Sequence, residues 1–144
     1  MPLAHRIRYR WRSFRGTPIA GVSVVIANSD GDILLLRHSY GPRVWALPGG
    51  GLKSGEDPAE AARREIREEL DMVLNELEPV ARLEEDVFAS HHVAHLFYAT
   101  SDAVPVPDRR EVITARFFPM HSLPDDLGRV TQQRIAAFQA YSAG

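Results

Sequence analysis

The chain of 144 residues contains no cysteine, which excludes disulfides, thiolate-ligated zinc and a thiol nucleophile. Long apolar runs are also missing: the stretches 22–27 and 33–36 are the length of strands, far short of a membrane span. No apolar stretch follows the arginine-rich start, so it does not read as a secretory signal, and a cytoplasmic location is expected. Charge of one sign is scarce overall. Lys+Arg 17 against Asp+Glu 19 gives −2, so no global field recruits stable nucleic-acid or anionic-membrane binding. What remains is an ordinary soluble composition, 44% hydrophobic and 25% charged, in a length suited to one domain.

Residues 1–16 carry Arg6, Arg8, Arg10, Arg12 and Arg15 and no acid. Alternation with Ile7, Tyr9 and Trp11 suits a strand; Leu3, Ile7, Trp11 and Phe14 suit a helical stripe equally well. The segment is expected to be an appended amphipathic element, with an anionic surface or partner subunit as the rival role. The main domain is expected over 17–144.

From Ile19 the pattern turns to strands. The β-branched run 21–27, the turn 28–32 with its Asp30-Gly31 pair, and the apolar run 33–36 predict a hairpin. A loop over 38–43 and a short strand Trp45-Ala46-Leu47 come next, stopped by Pro48-Gly49-Gly50-Gly51. Asp57 then suits an N-cap and Pro58 the first helical position, with the helix ending near Leu70. Its core stripe is expected to be Ala59, Ala62, Ile66, Leu70 and Val73, with Glu60 and Arg64 paired outside. Strands over 81–88, 93–100 and 115–118 and a helix over 131–141, capped by Thr131, complete the reading. Strands and helices mixed without βαβ regularity imply a mixed sheet flanked by helices, of α+β or α/β class.

The chemistry concentrates in Arg64-Glu65-Ile66-Arg67-Glu68-Glu69-Leu70. At about 100° per residue, Glu65, Glu68 and Glu69 fall at roughly 0°, 300° and 40°, crowding one face. Like charges at this spacing destabilise a helix by a few tenths of a kcal/mol per pair. A divalent cation among the carboxylate oxygens reverses that penalty. The bland alternative is a solvated, salt-bridged face, but these acids lie beside the apolar stripe and not opposite it. A P-loop is a second alternative, since Gly50-Gly51-Leu52-Lys53-Ser54-Gly55 has its glycine spacing. It fails at Glu56-Asp57, where Lys-Ser/Thr is required.

Gly50, Glu56, Arg64, Glu65, Ile66, Glu68, Glu69 and Met72 together have the spacing G-x5-E-x7-R-E-U-x-E-E-x-G-U, with U aliphatic. This resembles the Nudix box, the signature of the Nudix hydrolases, with Asp71 where the box has glycine. Trp45-Ala46-Leu47-Pro48 before it and Ala115-Arg116-Phe117-Phe118-Pro119 behind it extend the likeness over most of 19–127. The box glycine closes the helix in a left-handed conformation, which aspartate tolerates at a cost of about 1 kcal/mol or less.

The resemblance implies an α/β/α sandwich that hydrolyses a phosphoanhydride in a nucleoside diphosphate linked to another group, using Mg²⁺ or Mn²⁺. It implies Glu65, Glu68, Glu69 and the Gly49 carbonyl as ligands, with Arg64 orienting Glu65 and pairing with Glu56. Gly50 and Gly51 would let the backbone approach the phosphate. Glu111 is the expected general base, with Glu84 and Glu85 as rivals. Arg37 could reach the phosphate or serve only as a surface arginine. His91, His92 and His95 do not support zinc, because on a strand His92 points away from the other two and no second ligand pair follows. His92 or Phe88 could touch a base; Trp45 suits packing better than stacking.

The substrate is not specified by any of this. Without cysteine, the zinc-ribbon NADH-cleaving form and the cysteine-dependent isomerase branch drop out. The likeness to coenzyme A pyrophosphatases is confined to 34–39. No proline lies over 80–104 and no tyrosine over 41–97, which speaks against the ADP-ribose and dinucleoside polyphosphate markers. A nucleoside triphosphate, an oxidised one included, or a nucleotide sugar stays open, as does a homodimer. The rival classes are a catalytically silent nucleotide-binding regulatory module and a partner-binding protein resting on residues 1–16.

Overall fold

The computed structural model describes residues 19–87 and 90–144. The basic segment 1–16 and Phe88 lie outside the described residues.

The described residues form six strands and two α-helices in the order β1 (Ile19–Ala27), β2 (Ile33–His38), β3 (Gly49–Gly51), α1 (Pro58–Leu70), β4 (Glu78–Val87), β5 (Ser90–Thr100), β6 (Val112–Phe118) and α2 (Arg129–Ala143). The strands make one mixed sheet in the order β4-β5-β1-β2-β6. β1 and β5 run parallel, from Ile19 opposite His92 to Ala27 opposite Thr100; every other pairing is antiparallel. On its other side β1 is shared. It meets β2 only at Ala27 and Ile33, then diverges, and β3 takes its place with Gly51, Gly50 and Gly49 opposite Gly21, Val22 and Ser23. The segment before β3 wedges into the opening. Leu36 and Ala46 exchange backbone hydrogen bonds of 2.9 Å, and the Val24 N–H donates to the Pro48 carbonyl at 3.0 Å.

Strand alternation divides the core into two layers. Val22, Val24, Ile26, Leu34 and Leu36 pack against Ala62, Ile66 and Leu70 of α1. Val25, Ile33, Leu35, Leu96 and Phe118 face Ile135 of α2, with Trp45 edge-on to Phe118 at 4.8 Å. The sheet therefore lies between α1 and α2, the expected sandwich. No described helix is long and apolar enough to cross a membrane.

Several local expectations are corrected. Val73 is 65% exposed, whereas Met72 and Leu74 are buried. The helix ends at Asp71, the chain beyond is not helical, and a 3.6-residue stripe cannot be extended past that point. Residues 45–47 form no strand, only isolated bridges of Ala46 to Leu36 and Trp45 to Leu127, and the strand is the glycine run itself. β4 starts at Glu78, with a register shift between Pro79 and Ala81, as suits proline on an edge strand. α2 starts at Arg129 behind Gly128, and Thr131 is a buried residue whose hydroxyl oxygen accepts from the Leu47 N–H at 3.4 Å. Glu60 pairs with Arg63, not Arg64.

Asp71 occupies the left-handed region (φ 53°, ψ 41°), its N–H closing the helix on the Arg67 carbonyl. Its carboxylate also sits at the negative end of the helix dipole. Asp71→Gly is therefore expected to stabilise the protein by about 1 kcal/mol, raising Tm by about 2–4 °C in a calorimetric scan.

Candidate active site

The α1 helix begins as its residues dictate. Asp57 is extended, and its carboxylate accepts from the Ala59 and Glu60 N–H groups at 3.1 and 3.3 Å. Pro58 follows where its missing N–H costs nothing. Packing Ala62, Ile66 and Leu70 on the sheet carries neighbouring acids inward, so Glu65 is 3% and Glu69 0% exposed, while Glu68 stays half-exposed.

Arg64 organises this face. Its Nε and Nη2 donate to the two oxygens of Glu56 at 2.8 and 2.9 Å, a two-bond fork. Nη1 donates to Glu65 at 3.0 Å and Glu68 at 3.2 Å, and Nη2 also reaches the Gly51 carbonyl at 3.0 Å. One side chain thus ties the turn, the glycine strand and the acidic face together. The Arg64 hydrogen bond is the main reason the Glu56 carboxyl titrates at about 2, helped by the Lys53 N–H and opposed by burial. Arg64 is itself held above its ordinary value, chiefly by Glu56.

Gly49 is a steric requirement. A Cβ on Gly49 would stand 1.9 Å from the Val22 carbonyl oxygen, so no other residue fits that register. Gly49 and Gly50 also line a cleft of about 260 Å³, together with His38, Glu85, His92 and Arg134.

Glu111 is fully buried on the loop entering β6. That loop is bonded to the end of α1: Val106 N–H donates to the Leu70 carbonyl at 2.8 Å, and Asp108 N–H to the Glu69 carbonyl at 2.9 Å. The chain therefore brings the Glu111 loop to the turn of α1 that carries Glu69. Both rivals are ion-paired. Glu84 is exposed and pairs with Arg82 at 2.7 Å and His91 at 2.9 Å, Arg82 being the main reason its carboxyl is lowered. Glu85 faces Arg134 at 3.2 Å.

A model of the NUDIX domain matches residues 17–138. The chain belongs to the Nudix family. An RNA pyrophosphohydrolase of Rhodospirillum rubrum is 40% identical over 50 residues, covering 35% of this chain and 30% of that protein. Nudix hydrolase 25 of Arabidopsis thaliana is 39% identical over 56 residues, 39% of this chain and 32% of that one. The chain thus matches about a third of the length of these curated relatives. Among solved structures, a MutT Nudix hydrolase of Burkholderia pseudomallei superposes with a TM-score of 0.76 at 26% identity, covering 85% of this chain and 98% of that one. A UDP-X diphosphatase gives 0.76 at 24%, covering 98% of this chain and 71% of that one, so its likeness extends to the fold alone.

Within this Nudix domain the remaining expected residues divide. Arg37 is ion-paired with Asp126 and lies 4.7 Å over the Trp45 ring, and it is not among the cleft-lining residues. Alternation along β2 places Arg37 with Ile33 and Leu35 on the α2 side. Trp45 is 8% exposed core packing. His91 and Glu84 share the α1 side of the sheet with His95, whose imidazole is lowered by burial first, then by Arg82, against Asp57. His92 turns to the cleft.

Three residues escaped the sequence reading: His38, Arg134 and Asp108. Arg134 had a legible signal, an arginine spaced three and four residues from Thr131 and Phe138 on the inward stripe of α2; it is 7% exposed. Asp108 bonds locally to the N–H groups of Arg110, Glu111 and Val112, and its link to α1 comes from the distant Glu69 carbonyl.

The donors fit a hard divalent cation: carboxylate and carbonyl oxygens, with no sulfur. Among the described residues no three acidic or imidazole side chains already converge as a cage. Arg64 Nη1 holds an oxygen of Glu65 and one of Glu68. Mg²⁺ needs no complete protein cage, since it is held by one or two carboxylates, waters and substrate phosphate.

Proposed function

We propose that this Nudix domain hydrolyses a phosphoanhydride bond in a nucleoside diphosphate linked to another moiety, in the presence of Mg²⁺ or Mn²⁺. The observation that carries the reading is the buried Glu65 and Glu69 on one helix turn, with Glu65 tied through Arg64 to the glycine strand that also lines the cleft. The nucleoside lies in the cleft beside His92, and the diphosphate runs over Gly49, Gly50 and Gly51 toward the acidic face. Glu65, Glu68, Glu69 and the Gly49 carbonyl would hold the ion, which when bound would neutralise phosphate charge and acidify water. Arg64 keeps Glu65 in place and Glu56 keeps Arg64 in place. Glu111 accepts the proton of the attacking water, whose oxygen bonds to phosphorus as the bridging P–O bond breaks and the leaving phosphate departs with the electron pair.

Solved structures of this fold include a UDP-X diphosphatase and an Ap4A hydrolase of C. elegans, the latter at 21% identity, so the architecture does not select the nucleotide. A small nucleotide fits the weak net charge better than stable nucleic-acid binding does, and a cytoplasmic location fits the absence of thiols. Residues 1–16 are proposed as an appended basic element on the domain 17–144.

A panel of nucleoside triphosphates, nucleotide sugars and dinucleotides, incubated with protein and Mg²⁺ and resolved by product mass, tests the reading. Metal-dependent cleavage at an anhydride is expected. Thermal stabilisation by a nucleotide without any product would instead establish the silent regulatory module.

A further inference from the structure

Asp108 makes more backbone contacts than a surface loop requires. Its Oδ1 accepts from the N–H groups of Arg110, Glu111 and Val112 at 2.9, 3.1 and 3.0 Å. Its own N–H donates to the carbonyl of Glu69 at 2.9 Å. A single residue therefore grips the backbone of Glu111 with its side chain and that of Glu69 with its main chain.

The turn it encloses is not one the chain would adopt unaided. Arg109 is left-handed (φ 67°), a conformation costing a non-glycine residue about 1–2 kcal/mol. Its N–H closes on the Val112 carbonyl at 3.0 Å. A second segment holds the turn from outside: Ser39 N–H donates to the Glu111 carbonyl at 2.8 Å, and the Ser39 hydroxyl donates to the Arg110 carbonyl. Glu111 is thus fixed on both of its backbone groups while its side chain is fully buried. Each hydrogen bond contributes about 0.5–1.5 kcal/mol, so three on one oxygen suffice to offset the cost of the left-handed turn.

We propose that Asp108 is a positioning residue: it fastens the Glu111 loop to the Glu69 turn of α1 and so sets the divalent-cation affinity and turnover of the site. The inference rests on the reading above, in which Glu69 holds the ion and Glu111 takes the proton. Asp108 itself touches neither substrate nor ion.

The experiment compares wild type with Asp108→Ala, Asp108→Asn and Glu111→Gln. Thermal unfolding is titrated with Mn²⁺ in the absence of nucleotide, and kcat and KM are measured on a substrate from the panel. Loss of a loop-ordering residue should raise the Mn²⁺ concentration for half-maximal stabilisation about tenfold in Asp108→Ala and lower kcat about tenfold, with KM within about threefold. Asparagine keeps the accepting oxygen, so Asp108→Asn should recover to within about threefold of wild type on both readouts. Wild-type behaviour of Asp108→Ala, with Glu111→Gln impaired, overturns the positioning role and leaves the function standing. Asp108→Asn as impaired as Asp108→Ala also overturns it, because charge and not the hydrogen-bonded turn would then be at work. A wild type that neither binds Mn²⁺ nor cleaves any nucleotide removes the proposed function and this inference with it. If Asp108→Ala does not unfold cooperatively, Asp108→Ser, whose hydroxyl can accept from part of the turn, decides on the same readouts.

Discussion

Glu69→Gln is expected to lower kcat/KM by about a thousandfold or more, roughly 4 kcal/mol of lost transition-state stabilisation, while the fold stays cooperative. Glutamine nearly matches glutamate in shape, so the packing of α1 against the sheet is retained. What disappears is a negative charge at a position that is 0% exposed. An ionised group in such a place is costly, and a structure keeps it when a cation or a set of donors needs it. Removing the charge should therefore cost little stability, and the metal-free Tm is expected to stay within a few degrees of wild type. The divalent-ion-induced rise in Tm should shrink together with the rate. Product release followed at saturating Mg²⁺, beside a thermal scan with and without the ion, measures both; equal rates for the two proteins would remove Glu69 from the chemistry.

Arg64→Met is expected to impair stability and catalysis together. It removes the fork to Glu56, the bonds to Glu65 and Glu68, and the link to the Gly51 carbonyl. Because Glu65 is buried, losing its cationic partner should cost about 2–4 kcal/mol, a fall in Tm on the order of 10 °C. Turnover should fall about a hundredfold as Glu65 loses its orientation. The same substitution should alter the acid limb of stability. In the folded wild type Glu56 titrates at about 2, against 4.5 for the ordinary carboxyl. Between those values the unfolded chain binds more protons, so stability rises with pH; the contribution is complete above pH 4.5 and is lost as pH falls through about 2. Arg64→Met should flatten that slope by nearly one proton, read from denaturant midpoints between pH 2 and 6. An unchanged slope would show that Arg64 is not what holds Glu56 ionised.

Local chemistry was the most legible part of the chain. Asp57 and Pro58 determine where α1 starts, because an N-cap and a first-turn proline act within a few residues. The spacing of Glu56, Arg64, Glu65, Glu68 and Glu69 identified the box, and the bond from Arg64 to Glu56 follows from one helix and one turn. The rest depended on segments far apart. Glycines carry little strand propensity, and the pairing of β3 is decided by the free edge of β1. Sequence alone leaves Arg37 between phosphate and surface, because nothing nearby in the chain announces Asp126. Glu85 meets Arg134 across the gap between β4 and α2, and Asp108 gains its meaning from Glu69. Val73 failed for a different reason: the helical period was carried one residue beyond a left-handed stop.

The parallel pairing of β1 with β5 has a consequence for how the molecule comes into being. Joining Ile19 to His92 closes a loop that contains β3, all of α1 and every box residue. Closing so long a loop must precede the contacts that reward it, so this step is intrinsically slow. During synthesis the acids of α1 emerge well before β5 exists to complete the wall beside Gly49. A nascent chain stopped short of His92 would carry the signature in full and yet have no chamber in which to use it.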